Sequence, residues 1–226
     1  MENISGTEGY DADVVIDATG SASIMERAGV PCVEGENFFT YIVHKLNDDI
    51  IDEYENDKIT WKLRSWDAAG SDLNGNGQPE KEKLISGTDV REVTSYIING
   101  KLSMLEKVKA WERYSYDLLS IPTMPQLRTI RHIIGDSSFD ADENAVFVDS
   151  IGKLTDFRAN KIGKTYDFPL SALYNSSFPN LFAAGRIIST STRDGWEVAR
   201  VIPSCAKTGE EAGKAAARYV QCRKRF

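Results

Sequence analysis

The sequence offers little from which to build a disulfide staple, a membrane span or a basic surface. Its three cysteines, Cys32, Cys205 and Cys222, are odd in number, far apart and without a CxxC pair. That excludes a disulfide framework and fits reduced thiols in a cytoplasmic setting. No apolar run approaches the roughly 18–20 residues that a spanning helix needs, so no membrane partner is expected. The first residues, Met-Glu-Asn-Ile-Ser-Gly, lack the charged-then-apolar order of a secretory signal. Lys and Arg number 27 against 34 Asp and Glu, a net charge of −7. That balance argues against a nucleic-acid partner, which would want a basic face. The one basic cluster, Arg223-Lys-Arg225, reads as a solvated terminus. Also missing is a strand that runs into Gly-x-Gly-x-x-Gly. The nearest approach, Gly75-Asn-Gly77-Gln-Pro-Glu80, lacks the third Gly, follows no strand and sits in a polar stretch.

What is present is an ordinary globular composition, 41% hydrophobic and 27% charged over 226 residues, enough for one large domain or two small ones. The apolar run Val14–Ile16 ends in Asp-Ala-Thr-Gly and predicts a buried parallel strand with a tight exit. A short helix is expected over Ser21–Gly29, stopped by Gly29 and Pro31. Residues 38–46 and 59–66, rich in aromatic and β-branched side chains, read as strands, and 67–88 as a polar, Gly-rich connection. From Asp89 to about Tyr116, Val90, Val93, Ile97, Leu105, Val108 and Trp111 recur at near-helical spacing, with Asn99-Gly100 expected to split the run into two helices. Further strands are expected at Arg128–Gly135, Ala145–Asp149, Tyr166–Leu170 and Asn180–Ala184. A last helix is expected from Pro203 to about Cys222.

The two ends share one logic. Val14-Val-Ile-Asp-Ala-Thr-Gly20 and Asn180-Leu-Phe-Ala-Ala-Gly185 each put Gly at a strand's carboxyl end. Ligands of open α/β sheets bind at that end, and Gly, without a Cβ, lets a ligand approach the backbone. Pro203 suits the first position of the final helix, whose free N–H groups and positive dipole end would face the cleft. Thr208-Gly209, Ala212-Gly213 and Ala216-Ala217 give that helix a stripe of small residues that can lie close to a strand or a ring system.

In this order the motifs resemble a known family. Ala18-Thr19-Gly20, Ala28-Gly29-Val30-Pro31, Arg128-Thr-Ile-Arg131-His132-Ile-Ile-Gly135, Asp149-Ser-Ile-Gly152, Phe168-Pro-Leu-x-x-Leu173, Asn180-Leu-Phe-Ala-Ala-Gly185-Arg186 and Arg200-Val-x-Pro203-x-Cys205-x-x-x-Gly209-x-x-Ala212-Gly213 follow one another over nearly the whole chain. The chain resembles the carboxyl-terminal part of a bacterial FAD-dependent oxidoreductase of the glutathione-reductase-like flavoprotein group, without the amino-terminal Gly-x-Gly-x-x-Gly unit. The resemblance implies an α/β fold: a partial FAD-binding (Rossmann-like) three-layer domain from 1–23 and 174–226, with an inserted α+β substrate-side domain at 24–173. It implies FAD as the cofactor of the full-length family. Ala18, Thr19 and Gly20 would line its adenosine and pyrophosphate side. Gly185 and Arg186 would contact the pyrophosphate or ribityl region, and Ile202, Pro203, Thr208 and Gly209 would sit under or beside the isoalloxazine. The position after Ala-Thr-Gly, often acidic in the family, is Ser21 here, a departure at one contact.

Arg128, Arg131 and His132 are the candidate catalytic residues. Strand alternation puts Arg128 and His132 on one face and Arg131 on the other, where they could bind an acidic substrate or donate a proton near a flavin. His44 reads as an ordinary strand residue. Trp61, Trp66, Trp111 and Trp196 read as core or subdomain contacts. Asp72-Leu-Asn74-Gly-Asn76-Gly77 echoes a calcium loop, but its twelfth position is Lys83, so it reads as a surface turn and no metal site is expected. Cys205 falls in the first turn of the last helix, where a thiolate would be stabilised. Without a CxxC partner it reads as a small buried residue. The leading functional expectation is hydride transfer between flavin and an unidentified small organic substrate. The alternatives are a non-catalytic remnant or module needing a separate amino-terminal FAD-binding chain, and a plain ligand-binding α/β domain. An exposed sheet edge at the ends would favour self-association into a homo-oligomer or poor solubility.

Overall fold

The computed structural model describes residues 2–3, 6–47, 64–72, 75–111, 116–121, 125–158 and 160–223. The chain forms two compact units, Met1–Glu34 with Arg131–Phe226, and Gly35–Ile130. It enters the first unit through the two-residue strands β1 (Glu2–Asn3) and β2 (Gly6–Thr7), then β3 (Val15–Asp17), helix α1 (Ser23–Arg27) and β4 (Cys32–Glu34). Helix α1 starts where the Asp17 carboxylate accepts from the backbone N–H groups of Ile24 and Met25, both at 3.0 Å.

The second unit is built on β5 (Thr40–Asn47), β6 (Arg64–Gly70), helix α2 (Val90–Lys109) and β7 (Tyr116–Ser120). Its antiparallel sheet runs β6-β5-β7. Of the expected strand at 59–66, residues 59–63 lie outside the described residues, and 64–66 open β6. That strand continues to Gly70, into the stretch expected as a connection. Helix α2 is capped by Asp89, whose carboxylate accepts from the N–H groups of Arg91 and Glu92. It is one helix, not two. Gly100 is needed for close packing, since a Cβ there would lie 2.2 Å from the Tyr41 ring. Tyr41, Phe39, Val43, Tyr96 and Met104 form the core of this unit.

The return into the first unit brings β8 (Arg131–Ile133), β9 (Ser150–Thr155), β10 (Thr165–Pro169), β11 (Leu181–Ala183), and helices α3 (Arg193–Ala199) and α4 (Ile202–Arg223). Strand β8 pairs antiparallel with β4, β9 with β10, and β11 pairs parallel with β3. The strand expected at Arg128–Gly135 is therefore shorter. Arg128 and Thr129 give their backbone N–H groups to the Asn37 side chain at 2.8 and 2.9 Å, not to a ladder. Residues 145–149 form no strand, and Val146 and Val148 are exposed. The Phe147 N–H goes to Asp167, and Asp149 accepts from Ser171 N. Helix α3 lies between the strand expected at Asn180–Ala184 and the helix expected from Pro203, where no helix is expected. The β4–β8 pairing sets the crossings between the units at 34/35 and 130/131, where the sequence reading sets them at 23/24 and 173/174.

One buried network in the first unit gives a pH signature. Asp156, 2% exposed, receives Arg158 Nη2 at 2.7 Å and the Tyr166 hydroxyl at 3.0 Å. Arg158 also bonds Asp194 at 2.7 Å. The Arg158 side chain holds the Asp156 carboxyl at about 2 against an ordinary 3.8, with burial opposing. A carboxylate lowered on folding contributes stability above its unfolded value and loses it as pH falls through its folded value. Asp156 is therefore expected to contribute about 2 kcal/mol that vanishes between about pH 4 and pH 2. Urea midpoints of the wild type and Asp156→Asn should converge over that window. Parallel curves would refute the assignment.

Candidate functional site

Because β3 and β11 run parallel in register, with Val15 beside Leu181 and Asp17 beside Ala183, their carboxyl ends emerge together. Each end turns through a left-handed glycine, Gly20 at φ 73° and Gly185 at φ 76°. Beneath the first turn, Asp17 is 1% exposed and its Oδ1 accepts from both the N–H and the hydroxyl of Thr19, at 2.9 and 2.7 Å. Ala22, fully buried, also holds a left-handed conformation at φ 51°, which an L side chain adopts only under constraint.

Arg186 joins the two ends. Its Nε donates to the Gly20 carbonyl at 2.7 Å, and a Cβ at Gly20 would stand 2.9 Å from that nitrogen. The left-handed turn favours glycine, and a Cβ there would push the Arg186 side chain aside. The Gly185 N–H donates to the Thr208 hydroxyl at 3.0 Å, and that hydroxyl donates to the Cys205 carbonyl, fastening β11 to the opening turns of α4. The Arg186 carbonyl accepts from the Trp196 indole at 2.8 Å. Trp196 in turn meets His132 edge to face, with ring centroids 4.6 Å apart. Burial pushes the Arg186 guanidinium below its ordinary range, helped by the neighbouring Arg200 and opposed by Cys205.

His132 is buried, and burial lowers its pKa. Its Nδ1 lies 2.9 Å from the Ile133 carbonyl, which only accepts, so the proton sits on Nδ1. Arg131, next to it on β8, pairs with Glu34 at 3.1 Å and Glu26 at 3.8 Å. Arg128 precedes β8 and belongs to the second unit, so the strand face expected to carry Arg128 together with His132 is not formed. His44 lies in β5, and its buried Nδ1 has no partner among the described residues.

On α4, Ile202 and Pro203 are exposed, while Ser204, Thr208, Ala212 and Ala216 pack inward. Nothing lies within 4 Å of where a Cβ would stand on Gly209 or Gly213, so the small-residue stripe is half packed and half open. Cys205, read as a small buried residue, is half-buried. Burial pushes its thiol up, against the pull of Arg186, and the Sγ donates to the Ala199 carbonyl at 3.6 Å. The turn at Asp72 is held internally, with its two oxygens taking the backbone N–H and side-chain amide of Asn76 at 2.9 and 2.8 Å. Among the described residues no group of three His, Cys, Asp or Glu side chains is placed to hold a metal, and no helix is long and apolar enough to cross a membrane. Asp17 and Ala22 are site residues that the sequence reading did not single out, and Trp196 is one that it read as a core or subdomain contact. A charged Asp closing the apolar run Val14-Val-Ile was the signal available for Asp17.

A family model for FAD dependent oxidoreductases matches residues 58–225. The chain belongs to that family. The matched stretch contains Arg128, Arg131, His132, Gly185, Arg186 and the α4 residues, while Ala18, Thr19 and Gly20 precede it. No curated protein and no solved structure matches the chain. Family membership supports a general flavin oxidoreductase function and FAD binding in full-length members. The fold is a mixture of helices and small sheets, consistent with an α/β domain of this kind.

Proposed function

We propose that the chain supplies the strand-end and final-helix part of an FAD site in an oxidoreductase that moves a hydride between flavin and an organic substrate. The observation that carries this reading is Arg186, a half-buried cation joining two parallel strands that both end in left-handed glycines. The residues present fit the group. Ala18, Thr19 and Gly20 offer an exposed backbone turn, Gly185 and Arg186 a positive charge beside it, and Ile202, Pro203 and Gly209 a stretch of α4 with open space at Gly209, while Thr208 packs inward and fastens Gly185. Arg186 would orient an anionic diphosphate against the β3 turn, and the α4 N-terminus would favour negative charge in front of it. His132 acts through Trp196 as a positioning residue for the Arg186 backbone. When bound, FAD supplies the redox chemistry.

Titration of the purified chain with FAD, followed by flavin fluorescence, tests the reading. Saturable quenching is expected, weakened at least roughly tenfold by Arg186→Ala and less by Arg186→Lys, which keeps the charge but loses the Nε donor. No change in flavin fluorescence alone, with uptake restored by a separate amino-terminal FAD-binding chain, would favour the module reading. No uptake in either case would favour a ligand-binding domain without flavin.

A further inference from the structure

The sheet of the second unit has two unlike faces. Strand alternation sends Tyr41, Val43 and Ala69 to one face, in the core with Tyr96 and Met104 of α2. It sends Thr40, Ile42, Trp66, Ala68 and Gly70 to the other, where the register sets Thr40 opposite Gly70 and Ile42 opposite Ala68. A cavity of about 570 Å³ opens on that second face, lined by these five residues, Arg128 and the turn at Ser71, Asp72 and Asn76. Such a volume falls within the roughly 300–1,000 Å³ of small-molecule sites.

The space follows from residue choice. Ala68 is too small to fill it, and Gly70, at φ 86°, cannot carry a side chain, because a Cβ would lie 2.1 Å from the Phe39 carbonyl oxygen. Trp66, expected as a core or subdomain contact, is 64% exposed on the cavity wall and presents an aromatic surface there. The polar groups of the turn are used within it. The Thr40 hydroxyl donates to the Ser71 carbonyl at 2.9 Å, the Ser71 hydroxyl to the Asp72 carbonyl at 2.5 Å, and exposed Asp72 is tied to Asn76. Arg128 is the cation of the lining. It is steadied by Gln126, which accepts from Nη2 at 2.5 Å, and by its backbone bond to Asn37. A guanidinium is a planar fork that matches a carboxylate.

We propose that this face binds an organic anion: a carboxylate held by Arg128, on a flat apolar body lying against Trp66 and Ala68. Calling that anion the substrate rests on the oxidoreductase reading, whereas the binding does not. The test titrates the flavin-free chain with benzoate, and with benzamide as its uncharged counterpart, following the Trp66 indole N–H by NMR. Benzoate is expected to shift that signal saturably, and benzamide to bind at least roughly tenfold more weakly. Arg128→Gln should bring the two ligands level. Ala68→Leu should obstruct the apolar wall beside Trp66 and weaken both while the signals of Tyr96 and Met104 stay in place, which separates an obstructed site from a misfolded unit. Absence of a saturable benzoate shift, equal binding of the two ligands to the wild type, or binding unchanged by either substitution would overturn the proposal. Since no flavin enters the titration, its failure leaves the flavin reading standing, and an FAD titration that fails leaves this one standing.

Discussion

Replacing Asp17 by Ala is expected to destabilise the first unit by about 3–5 kcal/mol, read as a fall in the urea midpoint of unfolding. Asp17 is 1% exposed and accepts from the N–H and hydroxyl of Thr19 and from the N–H groups of Ile24 and Met25. Bonds to a charged acceptor are each worth about 1.5–3 kcal/mol, and a truncated acceptor leaves its donors without a partner. Ala22 adds to the effect. Its left-handed backbone costs roughly 1–2 kcal/mol and persists because Asp17 grips the chain on both sides of it. Asp17→Asn keeps one acceptor oxygen and should lose about half as much. The local consequence follows from the Thr19 bonds: without them the Gly20 turn is no longer held against Arg186, so FAD affinity should fall together with stability. An unfolding free energy within about 0.5 kcal/mol of wild type would mean that Asp17 is a passive strand residue.

Sequence made the site's ends legible because those elements carry their signals locally. The apolar runs Val14–Ile16 and Leu181–Ala183 are each followed by a glycine, and they form the strands Val15–Asp17 and Leu181–Ala183, each leading into a left-handed turn. The last helix begins one residue before Pro203, as a first-turn proline allows. Errors arose where a distant side chain decides the backbone. Asn37 captures the N–H groups of Arg128 and Thr129 from about ninety positions away, so a β-rich stretch becomes a fastened loop. Asp167 does the same to the Phe147 N–H, while the Asp149 side chain takes the N–H of Ser171. Asn99-Gly100 looks like a breaker by local chemistry, yet Tyr41 requires a glycine at that point. Arg128 shows the same limit for function. Its place near Arg131 and His132 in sequence suggested one constellation, while the fold puts Arg128 in a different unit, with Trp66 and Ala68 around one cavity.

Gly100 gives the largest expected effect in the second unit, and its sign is diagnostic. On helix propensity alone, Gly100→Ala within the twenty residues of α2 would stabilise by about 1 kcal/mol. The packing opposes this. A Cβ at that position would meet Cδ2 and Cε2 of Tyr41 at 2.2 Å, well inside contact distance. Tyr41 is 2% exposed, with Phe39 at 6.2 Å and Tyr96 at 5.6 Å between ring centroids, so its ring has no room to retreat without moving that aromatic cluster. Overpacking of this kind costs about 1–3 kcal/mol or more, so Gly100→Ala is expected to be clearly destabilising, and Gly100→Val more so. A double-mutant cycle isolates the cause. In a Tyr41→Leu background the obstructing ring is gone, and Gly100→Ala should become neutral or stabilising, an inversion that propensity alone does not produce. If Gly100→Ala raises the urea midpoint of the wild type, α2 does not lie against β5 as described. If it lowers both backgrounds equally, the cost belongs to the helix and not to its contact with Tyr41.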